Sequence, residues 1–302
     1  MKNSIIICMR TGIIVINPYQ IPAESVHQAK RIQQEFLSLG VSVEIVTDTF
    51  LRNEISSNTI KSTLNGVEFA VYLDKDKYQS EILENLGIKL FNSHKSIRVC
   101  DDKGLTTLAL MDKGVNLPKT IFGALCYNKD MPVDKAWAKK IADSLGFPLI
   151  VKESFGSMGK GVYLANNFDE LLVVMNELKL KPHLFQEYLG TRRGVDVRVI
   201  VVGGKAVCAM QRENEFDFRS NVAQGGKGTP IDLPPKFKQT AEKCASVLGL
   251  SYCGVDLLYG NNGEPYVCEV NSNAFISGIE KVTGFNVAKT YAEYILSCLK
   301  NK

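Results

Sequence analysis

The sequence predicts a fold that starts as an α/β unit on a small parallel sheet and continues as an α+β unit with antiparallel hairpins. Within residues 1–93, short β-branched runs alternate with segments of helical apolar spacing, which is typical of strands joined by crossover helices. From residue 94 onward, strands lie on either side of glycine-rich turns, which indicates antiparallel pairing.

The N-terminal unit is predicted to contain four strands separated by helices. The expected strands are Ile13–Ile16, Val41–Val46, Val67–Leu73 and Ile88–Phe91, and the expected helices cover 26–37 and 78–86. Gly40 and Gly87 end these helices, because glycine is favoured just beyond a helix C-terminus. The first apolar run, Ile5–Ile16, is interrupted by Arg10 and lacks a small-residue cleavage site. We therefore interpret it as a buried strand and not as a signal peptide.

The central part of the chain is predicted to form a hairpin around the glycine-rich segment Ser154–Gly161. The apolar spacing predicts one helix through 97–111 and two others over Asp134–Leu145 and Asp169–Leu178. The strands expected here are Phe147–Glu153, Val162–Leu164 and His183–Tyr188.

Two further hairpins, with turns at Gly203–Gly204 and Gly260–Gly263, can be phased from the two-residue period of a strand. In the first hairpin, Asp196 and Arg198 share the face opposite a row of valines. In the second, pairing Tyr259 with Glu264 makes Asp256 face Val267. The predicted core face, packed on a helix over 236–248 or over 286–299, then holds Val255, Leu257, Tyr259, Tyr266, Cys268 and Val270.

The opposite face of the second hairpin carries Asp256, Glu269 and Asn271. Two carboxylates and an amide on one face are suited to magnesium, which takes oxygen ligands and fills its remaining positions with water and substrate phosphates. The alternative is an ordinary solvated polar face, which any half-buried sheet presents.

Lys152 ends a strand and is followed by Gly156, Gly159 and Gly161. Glycine lets backbone N–H groups approach phosphate oxygens closely, and the lysine adds a positive charge. The segment has neither the Lys-Ser/Thr of a Walker loop nor the following helix of a dinucleotide fingerprint. The alternative to a phosphate-binding hairpin is a merely flexible turn.

Two weaker signals lie nearby in the sequence. Glu187 and Tyr188 end a strand where a nucleotide base could bond to exposed backbone and to an acid. Arg219 and Asn221 precede a flexible glycine-rich stretch, where the arginine could clamp a phosphate. The alternative for the second signal is a charged, solvent-exposed loop.

Composition excludes several classes of protein. The net charge of +4, from 36 basic and 32 acidic residues, is too small and too evenly spread for a nucleic-acid groove or an anionic membrane surface. The eight cysteines form no C-x-x-C pair and the three histidines lie in separate elements, which argues against zinc, disulfide and nucleophilic chemistry. No stretch has the roughly 18 apolar residues that span a bilayer. We therefore expect a cytoplasmic protein.

Six motifs, taken in order, resemble those of the ATP-grasp carboxylate–amine ligases, and most closely the RimK-like alpha-L-glutamate ligases. They are VKESFGSMGKGV, FQEYL, VDVRV, DFRSNVAQGG, CGVDLL and CEVNSN. The resemblance covers residues 98–290 and implies an ATP-grasp fold, whereas residues 1–93 match only in architecture, as a pre-ATP-grasp domain. It implies an N-terminal domain over 1–93, a small ATP-grasp lobe over 94–188 and a large lobe with the metal site over 189–302.

The resemblance also implies roles for individual residues. Lys103, Lys152 and the three glycines would contact the ATP phosphates, Glu187 and Tyr188 would form the adenine hinge, and Asp196 would hold the ribose. Arg219, as the catalytic residue, and Asn221 would border the phosphates and the reacting carboxylate. The magnesium ligands would be Asp256, Glu269 and Asn271.

The reaction implied by the resemblance joins an amine to a carboxylate through an acyl phosphate, with ATP, Mg²⁺ or alternatively Mn²⁺, an amino acid and a carboxylate acceptor. Glutamate is the amino acid the family predicts, the acceptor being a protein or a small molecule, and a homo-oligomer is compatible with the family. Where typical members read Ala-Ser-Pro-Gly after the metal-binding asparagine, this chain has Ser272-Asn273-Ala274-Phe275 on the substrate side. The competing hypothesis is a regulatory protein that binds nucleotide without turnover.

Overall fold

The computed structural model describes residues 11–19, 23–220 and 225–300. Residues 5–10 of the first apolar run, and Asn221, therefore lie outside the described residues. Across the described ranges, no helix combines the length and the apolar character needed to cross a bilayer.

The N-terminal part of the chain forms the predicted parallel sheet. Its elements are β1 (Gly12–Ile16), α1 (Ala23–Ser38), β2 (Val43–Thr47), the two-stranded ribbon β3 (Glu54–Ile55) and β4 (Ile60–Lys61), β5 (Phe69–Tyr72), α2 (Lys77–Asn85) and β6 (Lys89–Phe91). The strand order is β2-β1-β5-β6, with every neighbouring pair parallel. Alternate residues of β1 pack into separate apolar clusters on the two faces, which explains its unbroken apolar sequence.

The central part forms a four-stranded antiparallel sheet with the order β7-β10-β8-β9. Its elements are α3 (His94–Asp101), α4 (Lys103–Leu110), β7 (Thr120–Phe122), α5 (Lys135–Leu145), β8 (Leu149–Glu153), β9 (Val162–Ala165), α6 (Phe168–Leu178) and β10 (His183–Glu187). Apolar residues of α5 and α6 form one core cluster with this sheet. The prediction of a single helix over 97–111 is wrong, because Asp102 is extended and its side chain caps α4 by accepting from the Gly104 and Leu105 amides.

The last part forms a five-stranded antiparallel sheet with the order β13-β12-β11-β14-β15. Its elements are β11 (Val195–Val202), β12 (Lys205–Glu213), β13 (Lys227–Pro230), α7 (Pro235–Leu248), β14 (Tyr252–Tyr259), β15 (Pro265–Asn271), α8 (Ser277–Thr283) and α9 (Val287–Lys300). The core face of the β14–β15 hairpin packs on α7, together with the valine face of β11. Of the two helices predicted for that hairpin, the one over 236–248 therefore covers it. The face of this sheet that does not contact α7 packs in part against α8, α9 and the N-terminal sheet.

The register predicted for the β14–β15 hairpin is wrong by one residue. Tyr259 pairs with Pro265 and Leu257 pairs with Val267. The core residues of β15 are therefore Val267 and Val270, and the prediction that Tyr266 and Cys268 belong to the core is wrong. A β-bulge at Cys268 then shifts the register again and brings Asp256 directly opposite Glu269. The two one-residue shifts add to two residues, which is one full period of a strand, so the predicted common face of the two acids is confirmed.

A buried asparagine joins the N-terminal sheet to the five-stranded sheet. Asn92 is 2% exposed and follows β6. Its Nδ2 donates to the carbonyls of Tyr252 and Ser272, both at 2.8 Å, and its Oδ1 accepts from the amides of Ser251 and Tyr252 at 2.7 and 3.0 Å. One side chain therefore satisfies four backbone groups of the other sheet.

Replacing Asn92 with alanine is expected to lower the free energy of unfolding by about 2–3 kcal/mol, because buried backbone groups lose their partners. Urea titration of the purified variant measures this change. Asn53→Ala is the matched control, since Asn53 makes a single side-chain bond to Gln79, and its cost should stay below about 1 kcal/mol. Equal costs for the two variants would contradict the bridging role of Asn92.

A candidate active site between two antiparallel sheets

A cleft between the four-stranded and five-stranded sheets brings together most of the residues singled out in the sequence. The predicted residues that line it are Lys103, Lys152, Gly156, Gly159, Glu187, Tyr188, Asp196, Arg219, Asp256 and Glu269. Gly161 and Asn271 are not among the lining residues: Gly161 lies between the lining residues Lys160 and Val162, and Asn271 lies two residues beyond Glu269. Asn221 lies outside the described residues. Residues far apart in the sequence thus meet around one cleft.

Lys152 reaches the cleft from the end of β8. It is 8% exposed, and its Nζ lies 3.8 Å from Sγ of Cys268, the bulge residue of β15. The glycine-rich segment follows at once, and Gly156 has a φ of 139°, a conformation that residues with a Cβ rarely adopt. At Gly161, a Cβ would lie 2.9 Å from Cγ of Glu153. The turn therefore depends on glycine at both ends.

Two cations hold the glycine-rich segment from outside it. Nζ of Lys103 donates to the carbonyl of Gly156 at 2.9 Å and lies 3.4 Å from Oε1 of Glu269. A guanidinium nitrogen of Arg219 donates to the carbonyl of Gly159 at 3.1 Å. Arg219 is also paired with Asp217 at 2.7 Å, and this pairing lowers the pKa of the Asp217 carboxyl. Both cations are thus positioned beside the segment that the sequence predicts to cover phosphates.

Glu187 closes the end of the cleft next to the strand β7, which the sequence analysis missed. Its Oε1 accepts from the Lys119 amide at 2.8 Å, and its own amide donates to the Lys119 carbonyl at 3.0 Å. Tyr188 follows it along the cleft wall. The predicted adenine hinge is therefore held in place by the segment that leads into β7.

Three buried charges, Asp196, Arg212 and Asp256, lie at the floor of the cleft, and a less buried arginine, Arg198, binds Asp256 from outside the cleft lining. Arg198 binds Asp256 through two contacts of 2.7 Å, from Nε to Oδ1 and from Nη2 to Oδ2. Arg212 binds Asp196 with its Nε at 2.7 Å and a second, shorter contact, and it also lies 2.9 Å from Oδ2 of Asp256. Both carboxylates are 2–3% exposed. The carboxylate that the family resemblance gives to the ribose is therefore bonded to Arg212.

The two acids respond differently to this environment. Burial raises the pKa of a carboxyl, but at Asp256 the charges of Arg198 and Arg212 outweigh burial and hold its pKa below the usual value. At Asp196 burial prevails over Arg212, and its pKa is raised. Asp256 is thus kept ionised, as a metal-binding carboxylate must be.

Sequence reasoning missed Arg198 and Arg212 as site residues. For Arg212, the predicted phasing of the first hairpin was wrong by one residue at this end: pairing Val202 with Lys205 places Gln211 opposite Asp196, whereas a β-bulge beside Ile200 and Val201 places Arg212 there. The position of Arg198 opposite Asp256 depends on the pairing of β11 with β14, which are not joined by a turn. That pairing could not be read from hairpin phasing.

The predicted magnesium ligands fit a hard cation in this structure. Asp256 lies directly opposite Glu269, and Asn271 lies two residues further along the same strand. The Nδ2 atom of Asn271 is buried without a hydrogen-bond partner among the described residues, and its Oδ1 would be the atom that binds a cation. In the described ranges, no three His, Cys, Asp or Glu side chains form a metal-binding group. The candidate is therefore two carboxylates and an amide, the ligand chemistry of magnesium.

The segment after Asn271 is bonded to the N-terminal part of the chain. Nδ2 of Asn273 donates to the Leu73 carbonyl, at the end of β5, at 2.7 Å. The carbonyl of Ala274 accepts from Nε2 of the buried Gln28 at 3.3 Å and from the Tyr252 hydroxyl at 2.6 Å. The 272–275 segment, where the sequence departs from the typical pattern, therefore lies at the junction with the N-terminal sheet.

Comparisons with known proteins agree with this geometry. Residues 100–295 match the profile of a family described as the RimK-like ATP-grasp domain. A probable alpha-L-glutamate ligase of Maridesulfovibrio salexigens is 37% identical over 216 residues, 70% of this chain and 68% of that protein. N-acetylaspartylglutamate synthase A of Homo sapiens is 32% identical over 235 residues, 77% of this chain and 59% of that protein.

A solved structure shows the same fold over nearly the whole chain. A D-alanine–D-alanine ligase from Bacillus anthracis, complexed with ATP, matches with a TM-score of 0.71 at 21% identity. The match covers 97% of this chain and 98% of that one, so it includes the N-terminal sheet.

Proposed function

This chain belongs to the RimK-like ATP-grasp family of carboxylate–amine ligases, and from that premise we propose that it forms an amide bond between glutamate and a carboxylate acceptor. The observation that supports this most is the meeting of Lys152, Arg219 and the Asp256–Glu269 pair around one cleft between two sheets. The names of the relatives support glutamate as the amino acid.

We propose that the reaction runs through an acyl phosphate. A carboxylate oxygen of the acceptor attacks the γ-phosphorus of ATP, and ADP leaves. The glutamate amine then attacks the acyl carbon, releases inorganic phosphate and gives up a proton. Phosphoryl transfer of this kind depends on positioning and on charge compensation, and needs no protein nucleophile. This suits a cleft that is lined by Lys103, Lys152 and Arg219.

The residues of the chain have separate tasks in this proposal. Lys152 and Lys103 offset the charge of the phosphates, and Arg219 does so at the transferring phosphoryl group. Asp256, Glu269 and Asn271 would hold magnesium, or alternatively manganese, which supplies further charge compensation when bound. The glycine-rich segment at 154–161 would cover the triphosphate and exclude water from the acyl phosphate.

The remaining assignments follow the family pattern. Glu187 and Tyr188 would contact the adenine, Asp196 the ribose, and Asn221 the phosphate side. We propose the division into 1–93, 94–188 and 189–302 on the same basis. The bonds between the 272–275 segment and the N-terminal sheet support an acceptor site at that junction.

A turnover assay tests the proposed function. The protein is incubated with ATP, Mg²⁺, a panel of amino acids and a cell extract as a source of acceptors, and ADP and new amide products are measured. We expect ADP release that depends on both glutamate and extract. Absence of ADP with every amino acid, while nucleotide still binds, would instead support a regulatory protein that binds nucleotide without turnover.

Replacing Lys152 with alanine is expected to raise the Michaelis constant for ATP and to slow turnover. A hydrogen bond to a charged group is worth about 1.5–3 kcal/mol, which corresponds to about 10- to 150-fold in affinity. Steady-state kinetics at varied ATP measures the effect. Lys139→Ala, on an exposed face of α5, is the matched control and should leave the ATP dependence unchanged. An unaltered Michaelis constant for Lys152→Ala would remove its phosphate role.

A further inference from the structure

The β-bulge in β15 turns the side chain of Cys268 into the cleft. In a regular strand neighbouring side chains point to opposite faces, yet Cys268 and Glu269 both line the cleft. The cause is the extra residue: Leu257 pairs with Val267 and Asp256 with Glu269, which leaves Cys268 without an opposite residue in β14. The thiol is free and half-buried, and small molecules can therefore reach it from the cleft.

The thiol lies beside a buried ammonium group. Lys152 is 8% exposed, and its Nζ is 3.8 Å from Sγ of Cys268. The nearby acids are bound to other cations, since Glu269 pairs with Lys103 and Asp256 with two arginines. Among the described residues, no carboxylate forms an ion pair with Lys152, and the sulfur is the hydrogen-bond partner that the structure gives its ammonium group.

Oxidation can join a thiol and an amine that lie this close together. A peroxide first converts the thiol to a sulfenic acid: an S–O bond forms, the O–O bond breaks, and water or an alcohol leaves. The Lys152 amine, having given its proton to water, then attacks the sulfur. An S–N bond forms and water leaves. The sulfur has lost two electrons, which the peroxide has taken up, and the pair has lost two hydrogen atoms.

Proximity favours this product over further oxidation. Burial raises the pKa of the Cys268 thiol, so the first step should be slower than at a catalytic cysteine of low pKa. The second step is intramolecular, and a positioned neighbour acts at an effective concentration far above that of the peroxide. The amine should therefore capture the sulfenic acid before it is oxidised irreversibly to the sulfinic acid.

We propose that Cys268 and Lys152 form an oxidative modification site, in which a peroxide joins the two side chains and a thiol separates them again. In the reversal, one thiol attacks the sulfur and releases the amine, and a second thiol reduces the resulting mixed disulfide. The link removes the positive charge of Lys152 and holds its side chain against β15. The loss of nucleotide binding that follows rests on the proposed function, because it takes Lys152 as a phosphate-binding residue.

Peptide mapping tests the link. Protein treated with hydrogen peroxide is denatured in iodoacetamide, digested without reductant and analysed by mass spectrometry. We expect peptides containing 152 and 268 to be joined, at their summed mass less two hydrogen atoms, and to separate in dithiothreitol. Mg²⁺ with a saturating concentration of the non-hydrolysable analogue adenylyl imidodiphosphate, added before the peroxide, should lower the yield at least about tenfold, because bound nucleotide covers both groups.

Three variants separate this pair from general oxidation. Cys268→Ser and Lys152→Arg each remove one partner and should give no link, and in Lys152→Arg the thiol should proceed to the sulfinic acid. Cys268→Ala replaces Cys268→Ser if the serine variant does not fold. Cys126→Ser is the matched control, because the Cys126 thiol donates to the Asn128 carbonyl at 3.0 Å and does not line the cleft. In this control the link should form as in the unaltered protein.

Nucleotide affinity separates the modification from its consequence. Calorimetric titration with the analogue should show binding about 10- to 150-fold weaker in linked protein, as expected for the loss of a charged hydrogen bond, with recovery in dithiothreitol. Sulfinic acid at Cys268 without joined peptides would overturn the inference. Complete linkage with unchanged affinity would overturn its effect on nucleotide binding. Joined peptides in a protein that binds no nucleotide even before oxidation would support the modification site and contradict the proposed function.

Discussion

Glu269→Gln is expected to lower kcat by roughly a thousandfold, about 4 kcal/mol of transition-state stabilisation, while the fold is retained. Glutamine keeps the size of the side chain but removes the charge that would bind a divalent cation opposite Asp256. Glu269 is 23% exposed in its side chain and forms an ion pair with Lys103, so its charge is not needed for packing. Turnover at saturating ATP and Mg²⁺, together with thermal unfolding, measures both parts of the expectation.

Glu264→Gln provides the matched control within the same hairpin. Glu264 is partly exposed and pairs with Lys236 outside the cleft. Surface ion pairs contribute at most about 1 kcal/mol, so this variant should keep both its kcat and its stability. If Glu269→Gln also turned over at the normal rate, the metal assignment at β14–β15 would be lost.

Arg212→Met is expected to destabilise the fold by about 3–5 kcal/mol, because it leaves buried carboxylates without their charge partner. Asp196 depends on Arg212 for its paired contacts, and Asp256 would keep only Arg198. Methionine fills a similar volume, so the loss comes from charge and not from a cavity. Urea unfolding monitored by circular dichroism measures the change.

Arg192→Met is the corresponding control for the loss of an arginine near the same strands. Arg192 is exposed and stacks over the Tyr259 ring, 4.5 Å from its centroid, without a buried carboxylate partner. Its removal should cost about 1 kcal/mol or less. If Arg212→Met also lowered the free energy of unfolding by no more than that amount, the four-charge cluster would contribute little to the stability of the fold.

Local sequence signals predicted the elements whose formation depends on nearby residues. The parallel N-terminal sheet followed from alternating strands and helices, and the polar face of Asp256 and Glu269 followed from strand periodicity. That second prediction succeeded although its register was off by one, since the bulge at Cys268 restored the phase. A bulge carries no clear mark in a single sequence, so its position could not be foreseen.

Features that depend on distant parts of the chain were not predicted. The break at Asp102 interrupts an apolar pattern that is continuous at helical spacing, and only the capping geometry reveals it. The strand β7 spans three residues and exists because β10 pairs with it. The contacts of Arg198 and of Asn92 cross between elements that lie far apart in sequence.

The hydrogen bonds of Asn92 and Asn273 have a practical meaning for protein engineering. Asn92 bonds to backbone at 251, 252 and 272, and Asn273 bonds to backbone at 73. Each side of the junction therefore carries a side chain whose hydrogen-bond partners are backbone groups of the other side. A chimaera that takes only residues 1–93 from a relative would combine two sides of this junction that come from different proteins. Transfer of acceptor preference between relatives should therefore require moving the 251–252 and 272–275 segments together with the N-terminal sheet.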